Sequence, residues 1–170
     1  MKKLIVLTAI CLTLTACGSK NAADASSSAT KNTSVPTTAV TEPETTAAAD
    51  IILTVYSPSD DLESFVKAEI RVDAVNETII TEHLILANVL SEDTAVNSLE
   101  LDGTQLNVDF NSAFRDLILT QGSTGERAIM GSVVNTFLAA FNAETMSITV
   151  DGEILESGHV VYDEPLSFYE

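Results

Sequence analysis

Between Gly18 and Asp50 the chain carries no aromatic residue and only two aliphatic side chains larger than alanine, Val35 and Val40. Ordering a backbone costs about 1–2 kcal/mol per residue, and a stretch built from Ser, Thr and Ala buries too little apolar surface to offset that. Any core therefore has to come from residues 51–170. The chain is 170 residues long and 45% hydrophobic, so one folding unit of about 120 residues remains, enough for a single small core. Residues 17–50 are expected to form a disordered Ser/Thr/Ala-rich tether. As a flexible coil of about 33 residues it would have a typical end-to-end distance of roughly 30 Å and a maximum reach of about 110 Å.

Ahead of the tether, Met1-Lys2-Lys3 gives a cationic start, and Leu4 to Leu14 is an apolar run broken only by small hydroxyl residues. That is the layout of a signal peptide, and the run is too short to span a bilayer. It ends in Leu14-Thr15-Ala16-Cys17-Gly18-Ser19, which looks like a bacterial lipobox. Residues 1–16 then form a lipoprotein signal peptide, Cys17 is the lipidated residue, and the protein sits on the extracytoplasmic face of the bacterial membrane. Each acyl methylene buried in lipid contributes about 0.8 kcal/mol, so two or more chains make a durable anchor. Cys11 lies inside the discarded run. The expected mature chain keeps no free thiol, which removes thiol catalysis and disulfide stapling.

Charge narrows the partners. The formal net charge is −17, and residues 51–170 hold 21 acidic side chains against only Lys67, Arg71, Arg115 and Arg127. The two leading segments cancel each other, so the whole imbalance falls on the domain. Nucleic acid is excluded as a partner, because such a surface cannot release counterions from phosphates. Anionic lipid headgroups are disfavoured for the same reason.

Hydrophobic periodicity predicts the elements. Ile51 to Tyr56 reads as a strand buried on both faces, and Phe65 to Asp73 as a half-buried strand with Val66, Ala68, Ile70 and Val72 inward. Ser57-Pro58-Ser59-Asp60-Asp61 between them has hairpin-turn chemistry. Asn76 is the expected N-cap, and Val75 and Ile80 the staple, of a helix of roughly 14 residues ending near Ser91. Ser98 to Asp109 alternates across an Asp102-Gly103 turn. A second helix starts at Ser123, where Ser123-Thr124-Gly125-Glu126 has capping-box spacing, and runs inward through Met130, Val134, Phe137 and Phe141. Gly131 within it suggests a close approach to the sheet. Thr145 to Val150 is another strand, turned by Asp151-Gly152, and His159 to Tyr162 a last extended piece. The fold class is α+β: a two-layer sandwich, with a mixed sheet of about five strands and two helices packed on one face. Its other face would show Lys67, Glu69, Arg71, Glu100, Asn107, Asp109, Ser147 and Thr149 to solvent or a partner.

Val108-Asp109-Phe110-Asn111-Ser112-Ala113-Phe114, Glu126 followed by Val134-Asn135-Thr136-Phe137, Ile148-Thr149-Val150-Asp151-Gly152-Glu153, Gly158-His159 and Pro165-Leu166 together resemble the GerMN domain of sporulation and spore-germination lipoproteins. The resemblance runs from about Ile51 to Ser167. One departure is the short link Ser91 to Asn97, which lacks the proline often seen in relatives. The resemblance implies a module that works through protein contacts, with envelope or sporulation proteins or with itself, and it carries over no catalytic residue and no cofactor.

The residues themselves offer few alternatives. Ser157-Gly158-His159 sets a serine near a histidine without a nucleophile-elbow pattern, and His83 falls on the apolar side of the first helix. Two histidines cannot by themselves make a transition-metal site. Asp60, Asp61 and Glu63 crowd one loop and Glu92-Asp93 another, which suits calcium oxygen ligation in principle but lacks EF-hand spacing. Two readings stand: a non-catalytic, lipid-anchored interaction or assembly module, or a small-ligand or cell-wall-binding lipoprotein or cell-wall enzyme using surface carboxylates such as Asp60, Asp61 and Glu126.

Overall fold

The computed structural model describes residues 50–170. The expected signal peptide, Cys17 and the expected tether up to Ala49 lie outside the described residues. In chain order the elements are β1 (Ile51–Pro58), β2 (Phe65–Val72), α1 (Glu77–Leu86), β3 (Val96–Asp102), β4 (Gln105–Phe110), α2 (Ser112–Leu119), α3 (Ser123–Phe141), β5 (Thr145–Val150) and β6 (Glu153–Ile154). The α+β class and the mixed sheet are as expected. The strands divide between two sheets: an antiparallel β1–β2 ribbon, and a four-stranded sheet of order β3-β4-β5-β6 in which only β4 and β5 run parallel. The α2–α3 connection supplies the crossover that a parallel pair requires.

Strict alternation places β4 and β5. Leu106, Val108, Phe110, Met146, Ile148 and Val150 are all buried, and the residues between them are half-exposed. The short α2 was not anticipated. It sets Phe114 and Ile118 four residues apart in the core, and Phe114 stacks on Phe110 with centroids 4.4 Å apart. Phe137 of α3 meets Phe110 edge-on at 6.0 Å.

α3 is buried nearly all round from Ala128 to Leu138, because β1 covers one side and the β4–β5 face another. A helix enclosed in this way does not show a single apolar stripe. Gly131 is the point of closest approach: a Cβ there would stand 2.2 Å from Phe65 Cζ and 3.1 Å from Tyr169 Cβ.

Several local readings shift. β1 buries Leu53 and Val55 but leaves Ile52 half-exposed, and β2 buries Val72 while Val66 and Ala68 face solvent. The reason is that α3 lies mainly on β1, and β2 hangs beyond it. Asn76 caps α1 as expected, its side chain accepting from Ile79 N–H at 2.9 Å. The helix ends five residues early, at Leu86, because Asn88 adopts φ +57, and the N–H groups of Asn88 and Val89 return to Ile85 O and Leu84 O, both at 2.9 Å. That pair of bonds is a Schellman closure, with asparagine in the left-handed position usually held by glycine. The β3–β4 turn sits one residue later than expected, on Gly103-Thr104, since Asp102 pairs with Gln105. Asp151 and Gly152, both at positive φ, form the expected two-residue turn before β6. His159 to Tyr162 forms no strand; an isolated Glu156–Val161 bridge closes that loop, and Leu166 pairs with Met146 beyond it.

Candidate functional site

The polar groups buried along α3 organise the most distinctive place in the molecule. Gly122, not Ser123, is the N-cap, so the expected capping box does not form. Glu126 turns inward instead and is 2% exposed. Its Oε1 accepts from Ser157 Oγ at 2.5 Å and from Tyr162 Oη at 2.6 Å. Its Oε2 has no hydrogen-bond partner among the described residues. The first turn of α3 favours a negative group there through the helix dipole.

Further along α3, Asn135 grips the backbone of Tyr169 from both sides, donating to its carbonyl at 2.9 Å and accepting from its N–H at 2.8 Å. Thr136 accepts from Tyr56 N–H at 2.9 Å while donating to Ser132 O. Glu126, Asn135 and Thr136 thus tie the C-terminal segment and β1 to one helix. In this way the motif residues that the sequence singled out acquire a physical role.

Beside Glu126 lies a cavity of about 280 Å³, walled by Tyr162, Tyr169, Leu166 and Val160, with Arg127, His159 and Ser123 at its rim. Burial, together with the hydrogen bond to Glu126, pushes the Tyr162 phenol far above its ordinary value, so it remains a donor. Burial also raises Tyr169, against the pull of Arg127. Arg127 donates to Glu170 O at 2.8 Å and lies over the Tyr169 ring.

The sequence candidates fall in different places. Ser157 joins the Glu126 cluster, and its oxygen accepts from the backbone N–H groups of His159 and Val160. The serine proton thus goes to a carboxylate, and the exposed His159 ring is no base for it. His83 is half-buried on α1. Asp60, Asp61 and Glu63 lie exposed in the β1–β2 loop. Ser59 Oγ, at 2.6 Å, and the Glu63 N–H hold Asp61 below the usual carboxylate range. Glu92 and Asp93 are exposed in the α1–β3 link, which Asn111 pins through Asp93 O and Ala95 N–H. Among the described residues no three His, Cys, Asp or Glu side chains are grouped to hold a metal.

The expected polar sheet face is divided as well. Lys67, Glu69 and Arg71 stand on the β1–β2 ribbon, apart from Glu100, Asn107 and Asp109. Asp109 is a hub, bonded by Thr149 Oγ1 at 2.6 Å, Gly152 N–H at 2.8 Å and Asn97 Nδ2 at 3.0 Å. Burial acts to raise its pKa, but those three donors outweigh burial and hold it low. The missed residues are Glu126 as a buried acceptor and Tyr162. The signal for Glu126 is a polar side chain among buried positions of α3, whereas Tyr162, in the C-terminal segment, carries none.

A family profile described as Germane, sporulation and spore germination, matches residues 19–156. No curated protein matches the chain. Two solved structures from Bacillus subtilis share the fold. The first GerMN domain of the sporulation protein GerM aligns with TM-score 0.53 and 16% identity, over 69% of this chain and 97% of that one. The tandem GerMN domains of GerM align with TM-score 0.51 and 22% identity, over 69% of this chain and 45% of that one. The chain thus spans less than half the length of the tandem structure.

Proposed function

The chain belongs to the Germane family of sporulation and spore germination, and on that premise we propose that it is a lipid-anchored extracytoplasmic module that acts by docking to other proteins rather than by catalysis. Cys17 carries the anchor, residues 18–50 the tether, and the domain the contacts, within a sporulation, germination or envelope assembly. The observation that carries this reading is that, among the described residues, both sheets end in a strand with no neighbour on its outer side, β2 in one and β3 in the other. Edge strands offer unpaired backbone groups to a partner. The buried reactive-looking groups, by contrast, are engaged in holding the chain's own segments.

Two measurements test it. Metabolic labelling with palmitate should mark the wild-type chain and not Cys17→Ser, and the variant should leave the membrane fraction. Cross-linking in intact membranes should capture a reproducible protein partner. A Cys17→Ser chain that stays in the membrane removes the anchor, and a chain with no partner removes the docking role.

A second reading has one observation in its favour: the unpartnered Glu126 Oε2 next to an aromatic-walled cavity. A small molecule with a hydrogen-bond donor would suit it. A thermal shift with cell-wall fragments that disappears in Glu126→Gln would promote this reading, and no shift would retire it.

A further inference from the structure

We propose that β2 is a self-pairing edge, along which two copies of the chain join antiparallel with Ile70 opposite Ile70 of the second copy. The inference rests on the docking reading and names one partner for it. On one side β2 pairs with β1 through its whole length, from Phe65↔Pro58 to Val72↔Ile51. Among the described residues no other backbone hydrogen bond reaches Phe65–Val72. The far side of β1 is already engaged through Thr136. An eight-residue edge is thus open, with Val66 53% exposed and Lys67, Ala68, Glu69 and Arg71 exposed as well.

Charge names the occupant. Of the four basic residues in 51–170, two stand on this strand, where Lys67, Glu69 and Arg71 alternate in sign along one face and Asp73 follows in the bend just past Val72. Twofold antiparallel pairing about Ile70 sets Lys67 opposite Asp73 and Glu69 opposite Arg71, and symmetry repeats each pair. On the other face Ala68 meets Val72, and Ile70 meets itself. Pairing about Glu69 instead would oppose Lys67 to Arg71 and Glu69 to Glu69. Pairing about Ala68 would set Lys67 opposite Glu69 and make two opposite-charge pairs, against four about Ile70, so the pattern favours the Ile70 register and a second copy as the partner.

Charges on an edge oppose self-pairing where like signs come opposite each other; here the signs are complementary. Pairing also converts a two-stranded ribbon, marginal on its own, into four strands. In the single chain Arg71 bonds Asp50 at 2.7 Å, with both side chains largely exposed. Such a pair exchanges at little cost.

The test uses the full chain in its own membranes, with two different C-terminal tags. A carbodiimide, which joins amines only to carboxylates in contact, should give a dimer whose linked peptides contain Lys67 and Asp73. Glu69→Arg or Arg71→Glu alone should lower the yield roughly tenfold, since each creates two like-charge pairs. Co-expressing Glu69→Arg with Arg71→Glu should restore a mixed dimer, which misfolded variants could not do. A wild-type chain without the link, or a link that survives the reversals, overturns self-pairing. If the domain still cross-links to another envelope protein, self-pairing fails and the docking reading survives; if nothing is linked, both fail.

Discussion

Replacing Glu126 tests whether the buried cluster is a structural clamp. Its Oε1 accepts two short O–H bonds, from Ser157 and Tyr162, in a site 2% exposed. Hydrogen bonds to a charged acceptor contribute about 1.5–3 kcal/mol each. Against that stands the cost of a buried carboxylate whose second oxygen has no partner among the described residues, a cost of several kcal/mol for an isolated ion. Glu126→Ala loses both bonds, strands the Tyr162 hydroxyl and leaves a void, so the expected loss is about 3–5 kcal/mol. Glu126→Gln keeps an oxygen acceptor and removes the charge, so it should fall within about 1 kcal/mol of wild type. Tyr162→Phe should cost about 1–2 kcal/mol and couple non-additively with Glu126→Ala. Urea unfolding gives the free energies, and hydrogen exchange over residues 155–170 shows whether the C-terminal segment loosens first. A Gln variant as damaged as the Ala variant, or an Ala variant within about 1 kcal/mol of wild type, would refute the clamp argument.

Tyr162 and Tyr169 both have pKa values raised above the ordinary 10.0. Their contribution is complete below pH 10 and is lost as pH climbs toward their folded values, so Tyr162→Phe should flatten the alkaline limb of a stability–pH curve. Asp109 has the opposite sign. Its pKa is held below 3.8, so its contribution is present above that pH and lost on acidification, and Asp109→Asn should flatten the acid limb. Asn76→Ala should cost about 1 kcal/mol in thermal or urea unfolding, because it removes a formed cap, while Ser123→Ala should stay within about 0.5 kcal/mol.

What could be read from the sequence was what depends on neighbours. The alternation of β4 and β5, the Asn76 cap and the Asp151-Gly152 turn each involve residues within a few positions, where period and turn chemistry act directly. The assignment of strands to sheets did not follow, because Val66 and Ala68 have an apolar pattern whatever lies beyond them. Only the placement of α3 over β1 decides that they face solvent. The Glu126 site failed for a sharper reason. Ser-x-x-Glu at a helix start is what a capping box looks like, and the competing partners, Ser157 and Tyr162, are 31 and 36 residues away. The helix start one residue earlier, at Gly122, turned the glutamate from the rim to the interior. α2 escaped because its apolar residues, Phe114, Leu117 and Ile118, span only two turns.

The four cations of the domain are not equally free to meet a partner. Arg115 donates to Val150 O at 3.0 Å, and Arg127 to Glu170 O at 2.8 Å, so both serve the chain's own backbone. Lys67, over the Tyr56 ring at 5.3 Å, and Arg71, bonded to Asp50 at 2.7 Å, stand on an exposed strand and hold only surface contacts that exchange at little cost. Two copies that meet there carry −17 each, and that repulsion acts over distances that salt screens, with a Debye length of about 30 Å at 0.01 M and about 8 Å at 0.15 M. The Lys67–Asp73 and Glu69–Arg71 pairs act at contact, where screening bites less. Raising ionic strength from 0.01 to 0.15 M should therefore strengthen self-association, read as the yield of carbodiimide-linked dimer in membranes. Docking of the acidic domain onto a basic protein surface should weaken over the same range. Dimer yield that falls steadily with salt would contradict pairing between two acidic copies, since it would mean that attraction, not repulsion, dominates at long range.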